Sequence, residues 1–287
     1  MYTEWKEVND KLIGTVTFDG VSDAIDRVVQ SVQNGVGVSL ANKDKVGTWF
    51  DDYHLDWLDN KSREDIKRLV ERPDASAIAE VERIRQKISD EVVEYKQMIT
   101  KRKRRRGCEH GDEIDVDRFL GGDMFCWERV EHTDVPRKSI TIGCNVSIGC
   151  NRDREDLLSR GAAVCALAEH LTAEGYNVEV VAVLKSLNPW QRKQGSMVTS
   201  VMVKRMDMPL DVAAIVTAMA EISFARGILV GSIVTESKYK MSGGLGSPAE
   251  VTGREQKELG IDTLCPMDIY SQTRATEWVI DCINGLE

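Results

Sequence analysis

The stretch from Lys138 to Leu184 decides the fold. Ser139 to Val146 (SITIGCNV) is a short apolar β-prone run, Arg160 to Glu174 (RGAAVCALAEHLTAE) is an Ala-rich helix closed by Gly175, and Asn177 to Leu184 (NVEVVAVL) has the near-continuous valine content of a buried strand. Strand, helix and strand in that order make one βαβ unit, for which a right-handed crossover is expected. Downstream, Met197 to Lys204 (MVTSVMVK) reads as another strand. The polar segment before it, with Pro189 and Gly195, suits an antiparallel strand at the sheet edge. Asp211 to Ala225 reads as a second helix capped by Gly227, Ile228 to Val234 (ILVGSIV) as a third core strand, and Asp262 to Cys265 leading into Thr273 to Ile283 as a last βα unit. The expected class is α/β: a mostly parallel sheet with helices on both faces, preceded by a helical N-terminal region.

Upstream, β signal is confined to a short strand at Leu12 to Phe18. Ser22 to Val32 reads as a helix with Ile25, Val28, Val29 and Val32 on one face. Ser62 with Asp65 forms a capping-box signature for a helix that Pro73 stops. From Ala75, apolar residues at 78, 81, 84, 88, 92, 95 and 99 recur at spacings of three and four, which predicts an amphipathic helix of about 25 residues. Its stripe suits packing within the chain or against a second copy, the former being the default. Trp49, Phe50, Tyr53, Trp57 and Leu58 concentrate aromatics in a chain that is 6% aromatic, as a local core or as a stacking surface. The expected division is a helical region over 1–100, a basic linker and connector over 101–137, and an α/β domain over 138–287.

The net charge of −9 hides one basic run, Lys101-Arg102-Lys103-Arg104-Arg105-Arg106; without it, 32 basic face 47 acidic residues, a net −15. An acidic body repels phosphates, which argues against a general nucleic-acid binder. The run itself suits a solvated linker or a basic helix end, a phosphate contact, or an acidic protein face. Seven cysteines without a CxxC pair indicate reduced, mostly buried thiols. Cys108 and His110 lack a second ligand pair at metal-site spacing. No run approaches the roughly 18 apolar residues of a membrane span, and the N-terminus MYTEWKEVNDK has no signal-peptide pattern, so no membrane partner and a cytoplasmic location are expected.

Loops at the carboxyl ends of such strands carry the ligands of α/β sheets. The first is Asn145-Val146-Ser147-Ile148-Gly149-Cys150. With this loop and the order of elements around it, residues 138–285 resemble the von Willebrand factor A domain. In that family, Asp-x-Ser-x-Ser, a later threonine and a later aspartate hold a divalent cation. Asn145 stands at the aspartate, Ser147 at the first serine and Gly149 at the second. No threonine occurs around Met208 to Asp211, and Thr235-Glu236-Ser237 stands where the family often has Thr-Asp-Gly. A hard cation such as Mg²⁺ wants anionic oxygen, so these departures imply a degenerate site that is metal-free, with no cofactor, or binds the cation only weakly; Asn145 and Ser147 are expected to bond the loop's own backbone, the alternative being a cation-dependent adhesion site that Ser147→Ala would abolish. The layout also resembles phage and plasmid proteins with a helical N-terminal part and an A-like C-terminal part. The matching features are Asp115-Val116-Asp117-Arg118-Phe119-Leu120-Gly121-Gly122, Arg160-Gly161-Ala162-Ala163, Pro209-Leu210-Asp211 and Glu277-Trp278-Val279. That resemblance implies a mobile-element origin.

No catalytic constellation stands out. His170 lies in a helix sequence, and His54 and His132 have no motif around them. The glycine-rich Ser242 to Ser247 lacks the Lys-Ser/Thr ending of a phosphate loop. The expected function is therefore that of a non-enzymatic interaction or scaffold protein. It would bind a protein partner, or a second copy, through loops around Asn145, Ser147, Gly149, Asp211 and Glu236. The alternative is nucleic-acid binding through Lys101, Arg102, Lys103, Arg104, Arg105 and Arg106, helped by Trp49, Phe50 or Trp57.

Overall fold

Valine-rich β7 (Asn177–Leu187) organises the fold, because alternate residues of this strand feed two different cores. Val178, Val180, Ala182 and Leu184 enter the main core, whereas Val181 and Val183 enter a smaller one on the opposite face. A computed structural model describes residues 2–8, 11–34, 58–99, 104–108, 113–130, 139–149, 152–187, 194–236, 238 and 247–286. The chain divides into two compact units: Met1–Val92 with Lys138–Glu287, and Val93–Arg137.

In the first unit, β1 (Tyr2–Val8), β2 (Lys11–Phe18), β6 (Ser139–Asn145), β7, β8 (Gln194–Lys204) and β10 (Thr263–Cys265) form a seven-stranded sheet in the order β1-β2-β8-β7-β6-β10, with β9 (Ser247–Pro248) added to the end of β7. β10–β6, β6–β7 and β2–β8 pair parallel; β1–β2, β7–β8 and β7–β9 pair antiparallel. The sheet is therefore mixed, and parallel order is confined to the β10-β6-β7 side and to β2–β8.

One face carries α1 (Val21–Asn34), α3 (Ala75–Ile99), α5 (Arg154–Ala173), α6 (Val212–Met219), α7 (Val230–Thr235) and α9 (Gln272–Leu286), whose buried residues join the main core. The short α2 (Arg63–Lys67) joins them through Ile66, and its Ser62–Asp65 capping box forms as the sequence indicates. On the other face lies α8 (Gly253–Glu258), flanked by Val251, Leu259 and Ile261 of the smaller core. Gly143 in β6 permits that layer to approach: a Cβ there would stand 2.8 Å from Leu264 Cδ1 and 2.9 Å from Ile261 Cγ2.

Four readings within the first unit are corrected. The N-terminal hundred residues are not a separate helical region, since β1 and β2 extend the main sheet and α1 packs on it. β8 is antiparallel to β7 as expected but internal, because β2 covers its outer edge. Ile228 to Val234 is helical: a π-helix, Phe224–Leu229, runs into α7. A mostly apolar run of seven residues, broken by Gly231 and Ser232, has no clear period with which to tell a buried strand from a buried helix. Finally, the helix read from Arg160 begins at Arg154, which places Arg160 nearly two turns inside it.

The second unit contains a three-stranded sheet, β3 (Arg104–Cys108), β5 (Trp127–Val130) and β4 (Glu113–Ile114) in the order β3-β5-β4, and the one-turn helix α4 (Val116–Leu120). The basic run, read as a linker or helix end, thus enters a strand at Arg104. Lys101, Arg102 and Lys103 lie outside the described residues, as do Trp49, Phe50, Tyr53, Trp57, His54, His110, His132, Cys150 and residues 242–246.

Candidate functional site

β6 ends at Asn145, and the loop that follows it is built from the inside. The Asn145 side chain is fully buried: its amide donates to Ala249 O and to the Glu250 carboxylate, both at 3.1 Å, and its Oδ1 accepts from Ser147 N at 3.0 Å. Ser147 is equally buried, donating to Lys185 O at 3.2 Å and accepting from Lys185 N at 2.8 Å. Of these bonds the one from Ser147 N to Asn145 Oδ1 lies within the loop, as the sequence predicts; the others reach Lys185, Ala249 and Glu250 on distant segments. This bonding leaves neither one surface for a partner, which corrects their assignment as partner contacts. Gly149 lies in the same loop, where its carbonyl accepts from Arg226 Nη2 at 2.8 Å.

Beneath the loop lies Arg160, fully buried although α5 is otherwise apolar at this level. Its Nη1 donates to Asn145 O (2.9 Å) and Ser147 O (3.0 Å), and its Nε to Ile269 O (3.3 Å). One guanidinium therefore ties the loop after β6 to the segment after β10. Glu250 makes a second tie, since its other oxygen accepts from Met267 N at 2.8 Å. Arg160 also stands 5.1 Å from the Tyr270 ring centroid, and Arg152 stands 4.2 Å from the same ring. Arg160 Nη2 is buried without a hydrogen-bond acceptor.

The geometry does not fit a divalent cation. The Asn145 amide faces acceptors, the Ser147 hydroxyl is committed to Lys185, and a guanidinium occupies the carbonyls below. Among the described residues, no three His, Cys, Asp or Glu side chains gather at metal-binding distance.

The remaining two residues of the expected constellation lie elsewhere. Because β8 runs antiparallel to β7, the chain leaves it at the edge where β6 and β7 begin. Asp211 caps α6 there, accepting from Ala213 N (2.9 Å) and Ala214 N (3.3 Å). Glu236 follows α7 and accepts from the Thr3 hydroxyl at 2.8 Å, which places it beside β1, four strands from β6 in the sheet. Burial pushes its carboxyl upward, against the lowering influence of Thr3 and Lys238. Asn145, Ser147 and Gly149 thus belong together, whereas Asp211 follows β8 at the opposite end of the strands and Glu236 stands beside β1, several strands away.

Charged residues that sequence reasoning passed over complete the loop's surroundings. The π-helix carries Arg226, whose Nη2 reaches Gly149 O and also Arg152 O at 3.0 Å. Just before it, the fully buried Glu221 receives Lys61 Nζ at 2.7 Å and Arg154 Nη2 at 3.5 Å. Arg154 in turn meets Asp74 at 3.0 Å. Lys185 pairs with Glu255 at 2.6 Å, both largely buried. Burial opposes ionisation of Glu255, but Lys185 and the Thr252 amide and hydroxyl hold its carboxyl below the usual range. A charge inside an apolar helical run, as at Arg160, Glu221 and Arg226, is the signal that was available in the sequence. The buried thiols of Cys165 and Cys265 are pushed upward by desolvation, which keeps them protonated and unreactive.

Two surfaces remain accessible. In the first unit, a groove of about 340 Å³ crosses the face opposite the main helical layer, lined by Glu4, Lys6, Thr15, Ser200, Met202 and Glu258 among others. In the second unit, Phe119 is 58%, Leu120 77% and Met124 76% exposed, with Val116 and Phe125 also open. Among the described residues, no single helix is long and apolar enough to cross a membrane.

Fold and loop together define an α/β domain whose β6–α5 loop is held by buried charge and which carries a small inserted unit, Val93–Arg137, that begins in the last turns of α3. Residues 9–279 match a domain of unknown function, DUF7192, and the chain belongs to that family. No curated protein and no solved structure matches it.

Proposed function

We propose that this chain is a protein-interaction or scaffold module, with the inserted unit as its contact element. The observation that carries this reading is the apolar surface of Val116, Phe119, Leu120, Met124 and Phe125, five exposed side chains within ten residues. Isolated exposed hydrophobics are ordinary on a protein surface; a group of this density marks a surface that another molecule covers. Asp115, Asp117 and Asp123 lie among them, so the matching partner offers an apolar face with a basic rim.

The test is site-specific photo-crosslinking in the native host. A photoreactive residue at Phe119 is expected to give one discrete protein adduct that Leu120→Asp abolishes. The same residue at the exposed Val70 of the other unit is expected to give none. Absence of an adduct from 119, or identical adducts from 119 and 70, overturns the reading.

A second reading keeps the basic run as a nucleic-acid contact. In the register of the small sheet, Arg105 stands opposite Arg129, and β3 is an edge strand. This reading requires nucleic-acid affinity that falls steeply with salt and disappears on neutralising Lys101 to Arg106. Salt-insensitive binding removes it.

A further inference from the structure

We propose that two copies of this chain pair antiparallel through β1, edge to edge, so that their sheets become continuous. β1 ends the seven-stranded sheet, and among the described residues no backbone group of another element bonds to its outer edge. Such an edge is a template for a further strand. Its composition shows which strand fits.

β1 reads Tyr2-Thr3-Glu4-Trp5-Lys6-Glu7-Val8. A two-fold axis perpendicular to a sheet keeps every side chain on its own face, so the natural registers are those centred on a residue. Centred on Glu4, the register sets Glu4 against its own copy; centred on Lys6, it sets Lys6 against its own copy. Centred on Trp5, it sets Glu4 of each copy opposite Lys6 of the other, twice, with Thr3 opposite Glu7 and Tyr2 opposite Val8. Only this central register converts the charges into two attractive cross-strand pairs.

The side chains are placed for it. Glu4 and Lys6 line the groove on the open face, while Trp5 packs against the main core on the other. Within one copy, Lys6 Nζ lies 3.8 Å from Glu4 and 3.8 Å from Glu258, the loose end of ion-pair distance. Glu4 and Lys6 remain 57% and 42% exposed, so both are available to a second copy. Pairing would also bring the grooves of both copies onto one continuous face.

The experiment is sedimentation equilibrium of the full chain from micromolar to near-millimolar concentration, for wild type, Glu4→Lys, Lys6→Glu and the double variant. Each single substitution turns both symmetric pairs into like-charge pairs and is expected to weaken the dimer about tenfold or more. The double variant exchanges the charges and is expected to return the affinity to within about threefold of wild type. Circular dichroism melts establish that all four are folded. A wild-type monomer throughout, a dimer indifferent to the single substitutions, or a double variant no better than either single overturns the proposal. Phe119→Ser separates it from the contact proposed for the inserted unit: a dimer lost in that variant but kept in Glu4→Lys forms through the other surface and likewise overturns it.

Discussion

Replacing Arg160 by Met is expected to destabilise the protein by about 3 kcal/mol. Arg160 is fully buried and supplies three hydrogen bonds, to the carbonyls of Asn145, Ser147 and Ile269. Each buried carbonyl left without a donor costs about 1–3 kcal/mol, and the bond to Ile269, the longest of the three, contributes least, so the three together come to about 5 kcal/mol. Methionine fills most of the space of the arginine stem and removes a buried charge, one of whose nitrogens has no acceptor. That relief offsets about 2 kcal/mol. In a unit of this size the net loss lowers Tm by about 6–12 °C. Thermal and urea unfolding followed by circular dichroism measures it. Arg160→Lys retains the charge but not the fork that spans both loops, so it should fall between wild type and Met. A Met variant as stable as wild type would refute the reasoning: the buried guanidinium would then be a liability, and the two loops would be held by something else.

Asp74 caps α3, accepting from Ser76 N at 2.8 Å and Ala77 N at 3.1 Å. Burial alone would raise its carboxyl, but the Ser76 hydroxyl, the two amides and Arg154 outweigh it and bring the pKa to about 2 from the usual 3.8. A depressed carboxyl stabilises the fold fully above its unfolded value and loses that contribution as pH falls toward the folded one. Asp74→Ala is therefore expected to cost about 1 kcal/mol at pH 7, with the gap to wild type closing between pH 4 and 2 in urea titrations. Gly143→Ala would push a methyl group against Ile261 and Leu264, so a loss of about 1–2 kcal/mol in the same unfolding assay is expected.

Much of the fold was legible in local pattern. The β6–α5–β7 unit, the stripe of α3, the Ser62 capping box and the last βα unit all rest on periodicity or on contacts a few residues apart. The loop after β6 was legible in part: the bond from Ser147 N to Asn145 Oδ1 follows from a short polar side chain next to a free backbone group, whereas Ser147 bonds Lys185 on β7. Its support was not. Arg160 lies 13 and 15 residues from the carbonyls of that loop and 109 from Ile269, and such partners are chosen only once strands and helices are stacked.

By itself, then, the sequence determined the α/β class, the central crossover and the placement of most helices, because hydrophobic periodicity is a local property. Tertiary structure alone decided three further matters. It recruited β1 and β2 to the sheet, since pairing partners nearly two hundred residues apart leave no mark on local pattern. It made Phe224 to Thr235 helical, because a short, mostly apolar run without a clear period takes whichever conformation the surrounding layers bury. And it set Glu236 beside Thr3 of β1, several strands from Asn145, because where β1 joins the sheet is settled by the neighbouring strands rather than by its own residues.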